Sequence, residues 1–421
     1  MNEPRVYVNT PDVTEQVLST HGNHKANLYD ILAPLCSGGI LTAYGSKYAE
    51  KRKMAARAFS YKMLDIFCGV FENQYIHLQD KIQSKLGKGD FDLHKMIWCY
   101  TLDVIAETAM GVKLGCQKDN SLTYGKALEE LLYIFACRIY NPLNQYELIF
   151  RFRKMYRRQN VVAKYVQDFS DAIIKQRKEQ LLDIMNDQSD NDVHCKTLLD
   201  HLLTTKQNGQ HLSDEEIRDD VNTYMLAGHD PTASTASFAI YELSRNADIQ
   251  QKVYEELVEL FGRDLTKIPL NGRNLHKLKY LDMVIKETLR LYSLIPMIGR
   301  RATGDLIIDH KVIPKGTSLL IMIQTMHHDP RLYPEPKRFD PDRFTDEAIS
   351  KRHPFSYIPF GAAPRLCVGQ KFALVELKLL LILLLADFKF LPCDLENRVQ
   401  VAVSLNLTTK NGIYVKVQPR K

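Results

Sequence analysis

Phe360-Gly361-Ala362-Ala363-Pro364-Arg365-Leu366-Cys367-Val368-Gly369 sets a cysteine in a run of small and turn-forming residues. A strongly apolar stretch of helical texture follows, from Lys371 to about Phe388. A cysteine taken by itself is most often a buried structural residue. The surroundings here point elsewhere. Glycine and alanine let the backbone approach a flat object closely, and Arg365 places a cation two residues before the sulfur. A helix N-terminus just after the sulfur stabilises a thiolate. A thiolate ligand to heme iron requires this combination.

Outward from this loop the texture changes twice. Residues 327–365 are rich in Pro and Arg with little periodicity, and residues 305–325 alternate like strands around Asp309-His310 and Pro314-Lys315-Gly316. Residues 399–417 read as strands around the turn Lys410-Asn411-Gly412. By contrast, about Leu64 to Phe261 is poor in Pro and Gly, and its apolar residues recur at three and four, so it reads as helical. Near the start, Arg5-Val6-Tyr7-Val8 reads as a strand, followed by a helix capped at Thr10 or Asp12. A basic helix is predicted from Lys47 to about Phe59, and others at 248–261 and 277–292. Ser213-Asp214-Glu215-Glu216 is a capping box that opens a single predicted helix to about Arg245. Such a helix would be about 50 Å long and would cross the centre of a domain. No internal repeat and no linker divides the sequence, so residues 1–421 are expected to form one domain.

Composition excludes several classes. Of 421 residues, 45% are hydrophobic and 25% charged, which rules out a collagenous or wholly disordered chain. A net charge of +6 is too small at this length to imply nucleic acid, though a local basic patch for an acidic protein remains open. The eight cysteines (36, 68, 99, 116, 137, 195, 367 and 393) show no CxxC or zinc spacing, and read as reduced and intracellular. The longest apolar run, Leu379 to Phe388, is broken by Asp387 and falls short of the roughly 20 residues that a membrane span needs. Met1-Asn2-Glu3-Pro4 is polar and does not open a signal peptide.

The cysteine loop resembles the heme-ligand loop of the cytochromes P-450, Phe-x-x-Gly-x-Arg-x-Cys-x-Gly. Phe360, Arg365, Cys367 and Gly369 match, and Ala363 stands where a Gly is usual. Other landmarks of the family fall in order. Glu287-Thr288-Leu289-Arg290 is similar to the Glu-x-x-Arg pair of its K helix, and Arg343 in Pro336–Phe344 matches the Arg that completes a structural triad. Gly45 to Phe59 resembles the C helix, with Arg52 at the propionate-binding Arg and Tyr48 where a Trp is usual. Residues 102–111 and Lys410-Asn411-Gly412-Ile413 look like the fatty-acid-hydroxylase clan of animal enzymes, including its insect members. Ala227-Gly228-His229-Asp230-Pro231-Thr232 departs from the I-helix pattern Ala-Gly-x-Asp-Thr-Thr, because Pro231 replaces the relay Thr. His229 falls at the variable position and reads as an ordinary helix residue.

The resemblance implies a mainly α fold with small β-sheets, the heme lying between the long I helix and the L helix. It implies a chain that starts near the second strand of the first sheet, without the anchor, hinge and first helix of microsomal members. The implied activity is a heme-thiolate monooxygenase acting on a small apolar substrate, of fatty-acid, hormone-like or xenobiotic type. Cys367 would be the axial iron ligand. Phe360, Gly369, Tyr48, Arg52, Arg365 and Arg300 would surround the heme, and Asp230 and Thr232 would be the proton relay. Heme b would be noncovalent, since Ala227 stands where relatives carry an ester-forming Glu. Electrons would come from NADPH through NADPH–cytochrome P-450 reductase, with cytochrome b5 as a second donor. Lys47, Lys51, Lys53, Arg57 and Lys371 would form its docking face. The implied location is the cytosolic face of the endoplasmic reticulum, with peripheral membrane contact. Pro231 and Ala363 keep two alternatives open: a catalytically impaired heme protein or gene fragment, and a peroxide-rearranging member that needs no reductase.

Overall fold

Where proline and glycine are scarce, the chain is helical. The computed structural model describes residues 4–118, 123–187, 197–207, 210–265, 272–308, 310–394, 396 and 398–420. The longer helices are α1 (Pro11–His21), α2 (Gly45–Ala58), α3 (Tyr61–Gln83), α4 (Leu93–Ile105), α5 (Thr123–Tyr140), α6 (Lys154–Asp187), α7 (Asp214–Gly228), α8 (Asp230–Arg245), α9 (Ala247–Phe261), α10 (Lys279–Leu291) and α11 (Gln370–Asp387). The strands are short: β1 (Arg5–Val8), β2 (Phe91–Asp92), β3 (Lys206–Gln207), β4 (Gln210–His211), β5 (Ile298–Arg301), β6 (Leu306–Ile308), β7 (Lys311–Ile313), β8 (Ser318–Ile321), β9 (Phe388–Pro392), β10 (Val401–Val403), β11 (Leu407–Thr409) and β12 (Tyr414–Pro419). Asp309, in the turn predicted between β6 and β7, lies outside the described residues.

The chain forms two compact units, one of residues 27–70 and 101–230, the other of residues 2–26, 71–100 and 231–421. In the first, α6 packs against both α5 and α7. Their apolar faces bury Leu128, Leu131, Phe135, Val166, Ile174, Ile217 and Val221. The carboxylate of Asp103 on α4 accepts the main-chain N–H groups of Cys116 (2.7 Å) and Gln117 (2.9 Å), so the turn after α4 is closed by a buried side chain. The β3–β4 ribbon also belongs here.

The second unit holds the remaining sheets. In one, β1 runs parallel to β8, from Arg5 opposite Ser318 to Val8 opposite Ile321, and β5 pairs with β8 antiparallel. A parallel pair between residues so distant in sequence depends on burial, and Val8, Val17, Leu18, Leu319, Ile321 and Met326 form a shared apolar core beneath it. The second sheet has the order β2-β12-β9, and β6–β7 and β10–β11 are hairpins. Leu379 through Ile382, Leu384 and Leu385 of α11 are buried all round the helix. This accounts for an apolar stretch with almost no one-sided pattern.

The helix expected over residues 213–245 is interrupted. Ser213 caps α7 as expected, its Oγ accepting from Glu216 N (3.3 Å) while Glu216 Oε2 accepts from Ser213 N (3.2 Å). The regular ladder then stops at Gly228 and resumes at Asp230. Pro231 explains the break: it has no N–H to give the carbonyl of Ala227, and its ring crowds that carbonyl. His229 lies at the break and is fully buried. Its Nδ1–H donates to the carbonyl of Met225 at 2.7 Å, the oxygen that an unbroken ladder would give to its own main-chain N–H.

Two glycines give a test of opposite sign. A Cβ on Gly39 would lie 2.2 Å from Thr223 Oγ1 and 2.7 Å from the carbonyl of Asp219, whereas on Gly69, inside α3, it would meet nothing within 4 Å. Gly39→Ala is expected to destabilise the protein by about 1–3 kcal/mol through overpacking. Gly69→Ala should stabilise it by roughly 0.5–1 kcal/mol through helix propensity. Urea unfolding of the two variants against the parent checks both signs.

Candidate active site

The cysteine loop is shaped by its own backbone. Gly361 takes φ +71°, a conformation that L side chains avoid, and its N–H donates to Ile358 O at 2.9 Å. Cys367 N donates back to Phe360 O at 3.0 Å and closes the loop. Among the described residues, the non-glycine positions with positive φ are His310 and Glu335, so Ala363 carries no left-handed strain in place of the usual Gly. Gly369 is the N-cap of α11, two residues after the sulfur. Cys36, Cys68, Cys99 and Cys116 are buried and Cys137 and Cys393 half-buried, while Cys367 is exposed. Cys195 lies outside the described residues.

Two cationic side chains of the same unit are buried nearby in the fold. Arg365 is 9% exposed, and its Nε and Nη2 donate to Asn23 O at 3.2 and 2.9 Å. Arg300 on β5 is 2% exposed; it pairs with Lys25 through a β-bridge, and Gly299 O accepts from Ala26 N at 3.4 Å. Segment 23–26 therefore ties both arginines to one place. An exposed thiol in a cradle of small residues, with buried guanidinium groups in the same unit, fits a thiolate-ligated heme bearing carboxylates. Cys367 would supply the thiolate ligand, and Arg300 and Arg365 would hold carboxylate oxygens.

A buried electrostatic cluster is joined to the segment before the loop. Glu287 and Arg290 on α10 are fully buried. Arg290 Nε and Nη2 donate to the two oxygens of Glu287 at 2.7 and 2.8 Å, Asp340 N–H adds a bond at 2.9 Å, and Arg343 Nε lies 3.5 Å from Glu287 Oε1. Burial pushes the Glu287 carboxyl up, and Arg290 and Arg343 pull it back. Arg290 also donates to the carbonyls of His327 (2.9 Å) and Arg338 (3.3 Å). The structure thus brings Glu287, Arg290 and Arg343 together. Sequence reasoning missed their neighbour His327, whose Nδ1–H donates to Ser293 Oγ (2.7 Å) while Nε2 accepts from Ile358 N (3.1 Å). No spacing signal marks this imidazole, because its partners lie 34 and 31 residues away.

In the other unit, Tyr48 on α2 is buried and Arg52, one turn on, is partly buried. The basic face expected on α2 needs correction. Lys51 is 3% exposed and forms an ion pair with Asp220 of α7, itself 1% exposed. It is unavailable to a docking protein. Lys47 pairs with Glu216 at 3.4 Å and keeps half its surface, while Lys53 and Arg57 are exposed. Asp230 is partly buried, whereas Thr232, in the next unit of the chain, is buried. His229, read from the sequence as an ordinary helix residue, fills the helix break.

The sequence model of the family described as Cytochrome P450 matches residues 1–417. The chain belongs to the cytochrome P450 family. Its relatives within that family are P450 4 members of insects and mammals. It is 36% identical to cytochrome P450 4d2 of Drosophila melanogaster, over 100% of this chain and 85% of the relative. It is 34% identical to cytochrome P450 4c3 of the same fly, over 99% and 80%, and 34% identical to cytochrome P450 4V2 of Mus musculus, over 94% and 76%. The fold is similar to the crystal structure of the cytochrome P450DA heme domain, with a TM-score of 0.84 at 23% identity, covering 99% of this chain and 88% of that one. The mainly helical P450 fold with small sheets is thereby established. P450 membership implies a heme-thiolate cofactor and suggests an oxidoreductase of monooxygenase type, with a reductase partner as in microsomal members. Among the described residues, no helix is long and apolar enough to cross a membrane.

His327 makes this P450 sensitive to acid. Burial, with Arg290 adding to it, lowers its pKa from 6.5 to about 3. The unfolded chain takes up the proton near the ordinary value and the folded chain does not, so the stabilisation is complete above about pH 6.5 and is lost as pH falls toward 3. Urea unfolding at about pH 7 and pH 5 should show a larger loss of stability in the parent than in His327→Gln.

Proposed function

We propose that this chain is a heme-thiolate monooxygenase that inserts one oxygen atom of dioxygen into a small apolar substrate, of fatty-acid, hormone-like or xenobiotic type. The observation that carries the reading is the exposed Cys367 thiol, held by its own loop two residues before the N-cap of α11. When bound, the heme supplies the oxygen activation and transfer. The chain supplies the rest. Cys367 would supply the thiolate ligand, and Phe360 and Gly369 bound the loop that presents it. By resemblance to the family, Arg300 and Arg365 would hold the propionates, and Tyr48 and Arg52 are the residues at its other propionate-binding positions. Glu287, Arg290 and Arg343 keep the segment before the loop in place. Ala227 offers no carboxylate for an ester link, so the heme is noncovalent. Residues 1–421 act as one catalytic domain, a reading supported by the span of the family match across both units.

Electrons reach it from NADPH through the P450 reductase, with cytochrome b5 as a second donor. The exposed cations Lys53, Arg57 and Lys371 are suited to an acidic partner. Peripheral contact with the endoplasmic reticulum is supported by an exposed apolar set in residues 140–152. Leu148 and Phe152 are 74% and 93% exposed, beside Arg151, Lys154 and Arg157. Apolar side chains bordered by cations suit an anionic lipid surface. Cys367→Ser tests the assignment: it should abolish the thiolate signature of the reduced, CO-bound protein. An unchanged signature would refute it.

The helix break favours a second reading, in which monooxygenation is weak. Pro231 removes a hydroxyl where the family relays protons, and leaves Asp230 and Thr232 as the groups able to hold one. Proton delivery by a positioned group contributes roughly 10²–10⁴-fold. The parent is therefore expected to release much of its reduced oxygen as hydrogen peroxide. Pro231→Thr should raise product formed per NADPH with any substrate that both proteins turn over. Tight coupling in the parent would show a proton route independent of residue 231. A peroxide-rearranging enzyme would turn over a hydroperoxide without any reductase.

A further inference from the structure

Three stretches of the second unit, distant in sequence, meet around a cavity of about 200 Å³. Tyr241 and Arg245 come from the end of α8, Pro392 closes β9 with Cys393 after it, and Arg398 precedes β10. A space of this size suits a small ion and lies below the roughly 300–1,000 Å³ of pockets for larger organic ligands. Arg245 is the last residue of α8, about 20 Å along the helix from Thr232. The cavity is therefore separate from the groups assigned to proton transfer.

The polar side chains that line it are donors. Arg245 Nη1 donates to the hydroxyl oxygen of Tyr241 at 2.7 Å, and its guanidinium lies 5.2 Å from the centroid of the same ring. Tyr241 is 2% exposed, and its hydroxyl proton has no acceptor among the described residues. Arg398 is fixed through its main chain, whose carbonyl accepts Asn411 Nδ2–H at 2.9 Å, and its side chain is exposed. Among the described residues, neither guanidinium forms an ion pair. The carboxylates of this region are engaged elsewhere. Lys416 pairs with Asp394 at 2.6 Å and Asp90 at 3.7 Å, and Glu242 accepts from the Tyr292 hydroxyl at 2.6 Å. A cation at the end of α8 complements the helix dipole. That role calls neither for a second arginine across a cavity nor for a phenol whose proton lacks an acceptor. Two guanidinium groups and a phenol are the donors that hold an oxyanion through charge-assisted hydrogen bonds. Arg245 and Tyr241 are already held against each other, which lowers the ordering cost of binding.

We propose that this cavity binds a small tetrahedral oxyanion of phosphate type, held by Arg245, Arg398 and the Tyr241 hydroxyl. Donors from three directions suit a tetrahedral ion better than a planar carboxylate. The inference does not depend on the heme reading. Cys393, half-buried at the rim, is a local reporter. Burial and Asp90 push its thiol up, and Arg245 pulls it back. A bound phosphate would cover the thiol and offset Arg245, so alkylation should slow.

The test uses the full heme-loaded chain at constant ionic strength, with chloride exchanged for inorganic phosphate. Equilibrium dialysis with radiolabelled phosphate should show saturable binding of one ion per chain. Iodoacetamide labelling, read for each cysteine peptide by mass spectrometry, should slow with the same saturation at Cys393 and stay unchanged at Cys137. Arg398→Met and Tyr241→Phe should each raise the half-saturating phosphate concentration about tenfold or more, the loss expected for one hydrogen bond to a charged group. Arg398 is exposed, so Arg398→Met should keep the unfolding temperature of the parent. No saturable binding in the parent would overturn the proposal. So would an unchanged half-saturation in either variant, equal slowing at Cys137, or acetate binding as tightly as phosphate.

Discussion

Two charges buried away from the surface set the conditions for the cysteine loop. Glu287 and Arg290 sit three residues apart on α10, both at zero side-chain exposure. Such a pair is tolerable only if every remaining polar position is filled. Arg290 spends its other donors on the carbonyls of His327 and Arg338, and Glu287 accepts from Asp340 N–H and lies against Arg343. The irregular chain from 327 to 343 is thus bonded to one helix face, although it has few regular hydrogen bonds of its own. His327 extends the same logic by accepting Ile358 N–H, two residues before Phe360. A loop that must present a sulfur in one direction is in this way anchored to a rigid element.

The first unit solves a related problem with a different pair. Adjacent carboxylates on α7, Asp219 and Asp220, bind the turn at residues 37–40, and Asp220 also binds Lys51. Farther along, Pro231 interrupts the ladder, and the imidazole of His229 occupies the carbonyl of Met225. A break in a buried helix would otherwise leave polar groups without partners, at a cost comparable to a lost hydrogen bond. His229 reduces that cost from within its own turn.

Much of this was legible in the sequence. The capping box at Ser213, the basic helix near 47–59, the strand at Arg5–Val8 and the apolar helix after Gly369 all follow from local periodicity and capping chemistry. Each matches an observed element within a few residues. The cysteine loop was legible because its chemistry is compressed into ten consecutive residues. The single helix over 213–245 was over-extended, since hydrophobic periodicity continues through Pro231 although the hydrogen-bond ladder does not.

What the sequence by itself determined is therefore what short-range physics controls: helix starts, turn positions, the small residues around Cys367 and the Glu287–Arg290 spacing. What only the tertiary structure decided is which charges are buried. Lys51 and Lys53 look alike in the sequence, two basic residues on one helix. Burial against Asp220 makes one a fixed internal contact and leaves the other on the surface. His229 and His327 likewise acquire roles only from carbonyls, hydroxyls and N–H groups that folding brings to them. Burial depends on contacts distant in sequence, and local pattern carries no record of them.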